Sequence, residues 1–293
     1  MAAKDKDQKP DSQKTQNVAP QQTQGVQLRT DALQSTATSE KVYTGEEIIS
    51  LYKGGRRDFS GINASGADLK GTNLSDANLA CAYLNGAKLL HANLNNANLI
   101  GANLTGANLN NANLAYANLM NANLEGANLW HSNLARANLA YANLMNANLE
   151  FTYLSYANLI GANLTGANLT HANLTGTDFK KANLTRANLA GANLAGANLK
   201  KLNIIGANLI GANLTNANLE DADLYGANLI RANLKDANLM NANLKLANLT
   251  RANLTGAYLA GADLKDADLR AAKLKYANLT GTNFDGTNFH NRL

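Results

Sequence analysis

Residues 157–169 read ANLIGANLTGANL, and this five-residue pattern decides the fold. Each unit consists of a small apolar residue, an Asn or Asp, a central Leu and two variable residues. Central residues recur at every fifth position from Phe59 to Phe289 without an insertion or a deletion. An uninterrupted short repeat of this kind predicts a solenoid rather than a set of ordinary globular domains.

The period of five excludes the two common readings of an apolar pattern. Five residues of an α-helix advance by about 500°, so the leucines would wind around every face. On a continuous β-strand an odd period would turn successive leucines to opposite faces. The chain must therefore turn once in every unit. Within the triad Ala157, Asn158 and Leu159, we expect Ala and Leu to point inward and Asn to point outward.

The two variable residues are predicted to form a corner. Gly or Asn is frequent at the second of them, for example at Gly161 and Gly166, where a type II β-turn requires a positive φ. Four corners close a square coil of twenty residues, which predicts an all-β, quadrilateral β-helix of about twelve coils stacked at roughly 4.8 Å. Outward Asn side chains on successive coils should then form hydrogen-bonded ladders.

These repeated Ala-(Asn/Asp)-Leu units resemble the repeats of the pentapeptide-repeat proteins, and the resemblance covers residues 57–289. Residues 52–61 are also similar to the start of the repeat in cyanobacterial members. The resemblance implies a right-handed quadrilateral β-helix, the pentapeptide-repeat solenoid, with the central Leu or Phe and the small residue lining its interior.

The chain departs from the pattern where Ala64 replaces a central Leu and where Leu202 and Ile62 replace the small residue. Because Leu202 and Ile204 should overfill their coil, we expect a small local widening there. The outward Asn or Asp is replaced at Tyr83, Lys88, Tyr153, Tyr258 and Lys273.

Three segments are predicted along the chain. Residues 1–40 are polar, contain both prolines and show no periodicity, which is typical of a disordered tail. Residues 41–56 are predicted to form a capping helix and a linker, since Thr44 and Glu47 have the spacing of a capping box and Gly54 and Gly55 follow. Residues 57–293 form the predicted β-helix, whose first apolar layer this helix should cover.

Composition predicts a soluble, cytoplasmic protein. Cys81 is the one cysteine, so no intrachain disulfide can form. The N-terminal residues show no apolar stretch of a signal peptide, and no apolar run approaches the roughly 18 residues of a spanning helix. The net charge of +5 is modest, and basic residues concentrate in the second half of the repeat.

Residues twenty apart should lie in one column, so exposed corner residues are compared at that spacing. Between residues 100 and 160 these columns combine low charge with apolar and aromatic side chains, including the one Trp. This composition favours a partner-binding patch, although scattered apolar residues are also normal on a protein surface. The candidate residues are Ile100, Met120, Trp130, Tyr141, Phe151, Tyr156 and Ile160.

Two basic clusters follow. The candidate basic patch consists of Lys180, Lys181, Lys200 and Lys201, which form either a solvated charged face or a site for an acidic or phosphate-bearing partner. The second basic cluster, on another corner, consists of Arg231, Arg251 and Arg270. Nucleic-acid binding is disfavoured, because aromatic residues do not interleave with these clusters.

The sequence predicts no metal, cofactor or catalytic residue. His91, His131 and His171 share a column but lie forty residues apart. Alternate coils are about 9.6 Å apart, too far for ligands of one zinc ion. The nearest approach to a catalytic cluster is Glu220, Asp221 and Asp223, near Lys200 and Lys201. Their corner is convex, whereas catalytic pockets are concave, so a β-helix enzyme is the disfavoured alternative.

We therefore expect a non-enzymatic protein-interaction scaffold with an unidentified protein partner and no membrane contact. The resemblance also implies an alternative, since some pentapeptide-repeat proteins protect DNA gyrase by imitating B-form DNA with an acidic rod. The basic charge disfavours such a gyrase or topoisomerase regulator. Finally, Phe284 and Phe289 enlarge the last core layers with few residues to cover them, which predicts a homodimer through the C-terminal coils.

Overall fold

The computed structural model describes residues 41–288, and these form one helix followed by a stack of square coils. The helix, α1, spans Gly45–Lys53. Each side of a coil contributes a single-residue parallel bridge to the residue twenty positions later, from Asp58 with Asn78 to Asp268 with Asn288. The predicted tail of residues 1–40, the central Phe289 and residues 290–293 lie outside the described residues.

Every corner is a tight turn, as the repeat predicts. The amide of Ala162 donates to the carbonyl of Leu159 at 3.0 Å, and Gly161 between them has a φ of 67°. Positive φ recurs at the second corner residue of each unit from Gly61 to Gly286, which is the type II geometry. No Val, Ile or Thr occupies this second position, although Ile and Thr are common at the first. A β-branched side chain is strained at positive φ, so the turn restricts β-branched residues to the first corner position.

The interior is one continuous apolar column. Central side chains from Phe59 to Leu269 are at most 2 % exposed, and the small residues before them are also buried. Each buried Leu contributes about 1.5–3 kcal/mol relative to exposure to water. In the last described coil, Leu274, Leu279 and Phe284 are only partly buried. The core is therefore closed along the stack and more open at its C-terminal end.

The outward asparagines form the predicted ladders. Asn158 accepts the amide of Ile160 on its Oδ1 at 3.0 Å, and its Nδ2 donates to Oδ1 of Asn138 at 3.0 Å. Asn138 in turn donates to Asn118, also at 3.0 Å. One side chain thus fastens its own corner and the coil beside it.

Helix α1 closes the N-terminal end of the stack. The Thr44 side chain accepts the amide of Glu47 at 3.2 Å, and the Glu47 carboxylate accepts the amide of Thr44 at 2.8 Å, which confirms the capping box. Ile48 is fully buried in the core, and the Tyr52 hydroxyl donates to the carbonyl of Ser75 at 2.8 Å. Before the helix, Val42 forms a parallel bridge with Asn63, so the stack of bridges continues into this segment.

Near Leu202, where the sequence predicts a small widening, two coils lack hydrogen bonds that the other coils form. Leu202, Ile204 and the nearby Phe179 are all buried, each at no more than 1 % exposure. In the described part of the chain, the amides of Phe179 and Lys181 donate to no carbonyl of the next coil. One coil later, the equivalent amides of Leu199 and Lys201 do donate, at 2.7 and 2.8 Å. We call the interval between residues 176–182 and 196–203 the seam.

Candidate partner-binding face

The structure distributes the predicted patch over three corners. Trp130 and Phe151 lie in one column, which we call the Trp130 corner. Tyr156 lies on the next corner of the same coils, the Tyr156 corner, and shares one side of the square with Phe151. Ile100, Met120, Tyr141 and Ile160 lie on the corner that follows, diagonally across from Trp130. The prediction therefore combined residues that the fold brings together with residues that it separates.

Tyr153 joins the Trp130 and Tyr156 corners. It replaces an outward Asn on the side between them, forms a bridge with Asn133 and is 46 % exposed. Its ring meets the edge of His131 with the centroids 5.7 Å apart, and His131 lies 5.3 Å from Trp130. The sequence-based patch omitted Tyr153. The sequence feature that could have identified Tyr153 is an aromatic side chain at an outward Asn position, two residues after Phe151.

The rings on these corners lean toward the following coil. Phe151 stacks on His171 with the centroids 5.1 Å apart. The His171 ring lies where a Cβ on Gly191 would project, and the Tyr156 ring lies in the same way over Gly176. Glycine in the next coil therefore leaves the space that each of these rings fills. The aromatic side chains are held by the repeat itself and not by a loop.

Arg136 extends this surface on the Tyr156 corner. Its guanidinium carbon lies 5.9 Å from the ring centre of Tyr116 and 5.7 Å from that of Tyr156, within the range of cation–π attraction. These contacts form three groups that lie on two neighbouring corners and the side between them. We define the aromatic face by the residues of the three groups: Tyr116, Trp130, His131, Arg136, Phe151, Tyr153, Tyr156 and His171.

The corner of Ile100 and Ile160 presents a different surface. Ile100, Met120 and Ile160 are half-buried, and Ala140 between them is buried. Tyr141 is 55 % exposed, and its ring lies over Gly161. This column presents one exposed ring and no aromatic neighbours among the ring contacts of the described residues.

The candidate basic patch is partly neutralised. Lys200 pairs with Glu220 at 2.8 Å, and this hydrogen bond raises the pKa of Lys200. Within residues 41–288, Lys180, Lys181 and Lys201 form no ion pair.

The carboxylates beside this patch serve the scaffold. Asp221 accepts the side-chain amide of Asn241 at 3.2 Å. Asp223 accepts the side-chain amide of Asn243 at 2.9 Å and the backbone amide of Tyr225 at 3.2 Å. Asp223 occupies an outward position and makes the same ladder and turn bonds as asparagine does there. Asp221 occupies the second corner position and bonds to the corresponding corner residue of the next coil.

The second basic cluster forms a basin on the Trp130 corner, farther along the stack. Arg231, Arg251 and Arg270 line a shallow cavity of about 430 Å³, together with Ile210, Ile230, Thr250 and Ala271. Arg270 is held by Asp268, whose carboxylate accepts its Nη2 at 2.6 Å. We call this cavity the arginine basin.

The described residues offer neither a membrane-spanning helix nor a cluster of metal ligands. Between residues 41 and 288, no helix is long and apolar enough to cross a membrane. The same residues contain no group of three or more His, Cys, Asp or Glu side chains placed to hold a metal ion. His131 and His171 instead contact aromatic rings.

Comparison with known proteins identifies the family. The family model of pentapeptide repeats matches in eight copies between residues 58 and 291. No curated protein sequence is similar enough to count as a match.

Several solved structures are similar. One is HetL, a pentapeptide repeat protein involved in heterocyst differentiation regulation from the cyanobacterium Nostoc sp. strain PCC 7120. It is 33 % identical over 82 % of this chain and 96 % of its own, with a TM-score of 0.29. A pentapeptide repeat protein of the Arabidopsis thaliana thylakoid lumen is 32 % identical over 37 % of this chain and 71 % of its own, with a TM-score of 0.29. Rfr23 from the cyanobacterium Cyanothece 51142 is 32 % identical over 45 % and 91 %, with a TM-score of 0.15.

The matched repeats extend over most of the chain, and their period is that of the square coils. The chain belongs to the pentapeptide-repeat family, and its coils form the right-handed quadrilateral β-helix of that family.

Proposed function

We propose that this protein is a non-enzymatic, cytoplasmic interaction rod that binds a protein partner through the aromatic face. The observation that carries the proposal is a set of exposed rings, in three contact groups, on one side of the stack. Trp130, Phe151, Tyr153 and Tyr156 are between 37 % and 63 % exposed, although each contacts a neighbouring side chain or coil. Exposed, preorganised aromatic residues are the residue type that dominates binding energy at protein interfaces.

The size of the face supports a protein as the ligand. A buried aromatic side chain removes about 150–250 Å² from water, and a standard interface buries about 800 Å² on each partner. The exposed parts of these rings, together with the intervening Asn side chains, can form the centre of such an interface. Since the rings rest on a regular backbone, binding requires little ordering of this surface.

A pair of matched substitutions tests the proposal. Tyr153 and Tyr258 both replace an outward Asn and are both well exposed, but Tyr258 lies outside the aromatic face. We expect Tyr153→Asn to weaken capture of a partner from a lysate of the source organism at least tenfold. Tyr258→Asn should leave capture unchanged. Equal capture by both variants and the unchanged protein would contradict the role of the aromatic face.

A regulator of gyrase or topoisomerase has weaker support. Surface mimicry of DNA requires an acidic surface, whereas the net charge here is +5 and the arginine basin is basic. Supercoiling by gyrase should be unaffected by this protein at micromolar concentration. Altered supercoiling would favour the regulator instead. An enzymatic role is also disfavoured, because Asp221 and Asp223 are already engaged in scaffold hydrogen bonds.

We further propose that two copies associate through their C-terminal coils. The partly exposed Leu274, Leu279 and Phe284 support this arrangement, since an apolar layer gains free energy when a second copy covers it.

A further inference from the structure

The arginine basin combines an apolar floor with cationic walls. Ile210 and Ile230 follow each other on adjacent coils at the first corner position, and Arg231 and Arg251 follow each other at the second. Arg231 donates its backbone amide to the carbonyl of Thr250 at 3.0 Å, and Arg251 donates to that of Arg270 at 2.9 Å. The two Arg backbones are therefore one coil spacing apart, roughly 4.8 Å.

The charges in the basin are only partly balanced. Asp268 binds Arg270 through Nε at 3.0 Å and Nη2 at 2.6 Å. The guanidinium groups of Arg231 and Arg251 have no hydrogen bond or ion pair to any residue between 41 and 288. Two like charges on neighbouring strands repel each other. An anion placed between them would remove that repulsion.

The anion that fits best carries two negative charges and a small apolar group. One carboxylate matches one guanidinium fork, whereas a phosphomonoester has about two charges above its second pKa near 6 and three acceptor oxygens. It can therefore accept from Arg231 and Arg251 together. An apolar group attached to it would lie on Ile210 and Ile230. The cavity of about 430 Å³ is within the usual size of small-molecule sites.

We propose that the arginine basin binds a small organic phosphate, with the phosphate between Arg231 and Arg251 and the apolar group on Ile210 and Ile230. This site is separate from the aromatic face and does not depend on the proposed protein partner. Arg270, already held by Asp268, forms the C-terminal wall of the basin.

Phenyl phosphate is a suitable probe. Its binding to the full chain can be followed at pH 8 and constant ionic strength by ³¹P line broadening. Inorganic phosphate, which lacks the apolar group, should bind at least fivefold more weakly. Benzoate, which lacks the second charge, has no phosphorus nucleus and is measured by its displacement of phenyl phosphate, with an expected affinity at least fivefold lower. The double variant Arg231→Asn and Arg251→Asn should weaken phenyl phosphate binding at least tenfold. Asn is compatible with this turn position, since Asn216 and Asn241 occupy it with a φ of 56°.

The matched control is Lys181→Asn with Lys201→Asn. These lysines occupy the same turn position on adjacent coils of another corner, so the control removes equal charge without touching the basin. Phenyl phosphate binding should be unchanged in this control. An equal loss in both double variants would overturn the proposal, because it would show attraction to net charge alone. Binding of inorganic phosphate as tight as that of phenyl phosphate would overturn the role of the isoleucine floor.

Discussion

At the scale of single residues, the outward Asn performs two separable tasks. Its Oδ1 fastens the corner that follows it, and its Nδ2 fastens the previous coil where the ladder is continuous. Asn138 does both, since it accepts the amide of Ala140 at 3.2 Å, donates to Asn118 and accepts from Asn158. Asn228 has the corner bond to Ile230 at 3.3 Å, and the described residues provide no ladder bond to it. Because both positions have the corner bond and only Asn138 has ladder bonds, comparing them measures the contribution of the ladder bonds to stability.

We predict that Asn138→Ala lowers stability more than Asn228→Ala does. The first substitution removes two ladder bonds in addition to the corner bond, and a hydrogen bond contributes about 0.5–1.5 kcal/mol net. The difference between the variants should therefore be about 1–3 kcal/mol in the free energy of unfolding, measured by urea denaturation. Equal midpoints and slopes for the two variants would show that the ladder adds nothing to stability.

Most residue-level features were predictable from the repeat, because a period of five permits one arrangement of inward and outward side chains. The burial of Leu159 and the positive φ of Gly161 followed from this argument. The position of Tyr153 in the aromatic face did not. Its outward direction was predictable, but its contact with His131 depends on how far both side chains lean along the stack. The repeat determines the column of each side chain but not how far that side chain leans along the stack.

At the scale of elements, the capping box of α1 makes the N-terminal end sensitive to acid. The Thr44 amide that donates to Glu47 lowers the pKa of this carboxyl below its usual 4.5, and the ion pair with Lys41 lowers it further. A group whose pKa is lowered by folding stabilises the folded state above its unfolded pKa. That stabilisation is lost as pH falls through the folded pKa.

We predict that α1 frays in the unchanged protein as pH is lowered from about 5 through the depressed pKa of Glu47. The ¹³C chemical shifts of Ile48 and Ile49 report the helix content. Glu47→Gln keeps an oxygen acceptor for the Thr44 amide but does not titrate, so its helix content should change less over the same range. A parallel decline in both proteins would assign the acid sensitivity to other carboxyls.

The seam is the second element with a distinct prediction. The amides of Phe179 and Lys181 should exchange with solvent faster than those of Leu199 and Lys201, which occupy the same columns one coil later and are hydrogen-bonded. Leu202→Ala restores the usual small residue and should slow exchange at Phe179, as measured by hydrogen–deuterium exchange. Equal exchange rates at Phe179 and Leu199 would contradict the weaker hydrogen bonding across the seam. The sequence predicted the widening from the volume of Leu202, but which hydrogen bonds are lost depends on how the coil adjusts around Phe179.

At the scale of the whole molecule, the coils provide a uniform frame, and the corner residues distinguish its surfaces. The Trp130 corner carries aromatic side chains in its middle coils and the arginine basin in its later ones. The repeat predicted both clusters as columns. It did not predict that Ile210 and Ile230 would form the floor of the basin, because a cavity depends on the relative height of neighbouring side chains. We therefore expect function to depend on the side chains that distinguish one surface from another, such as Tyr153 and Arg231.

The last prediction concerns assembly. Within the described residues, the amides of Leu274 and Leu279 have no hydrogen-bond partner and form an unpaired edge. Pairing of two such edges, together with burial of the partly exposed Phe284, favours an end-to-end dimer. Light scattering at high concentration should then give about twice the chain mass of 31.0 kDa.

Asn278→Lys places a charge on the outward side of the last described coil and should shift the mass toward that of one chain. Asn228→Lys, in an interior coil, should leave the dimer intact. A single-chain mass for the unchanged protein would refute the assembly, because the exposed edge would then be stable without a second copy.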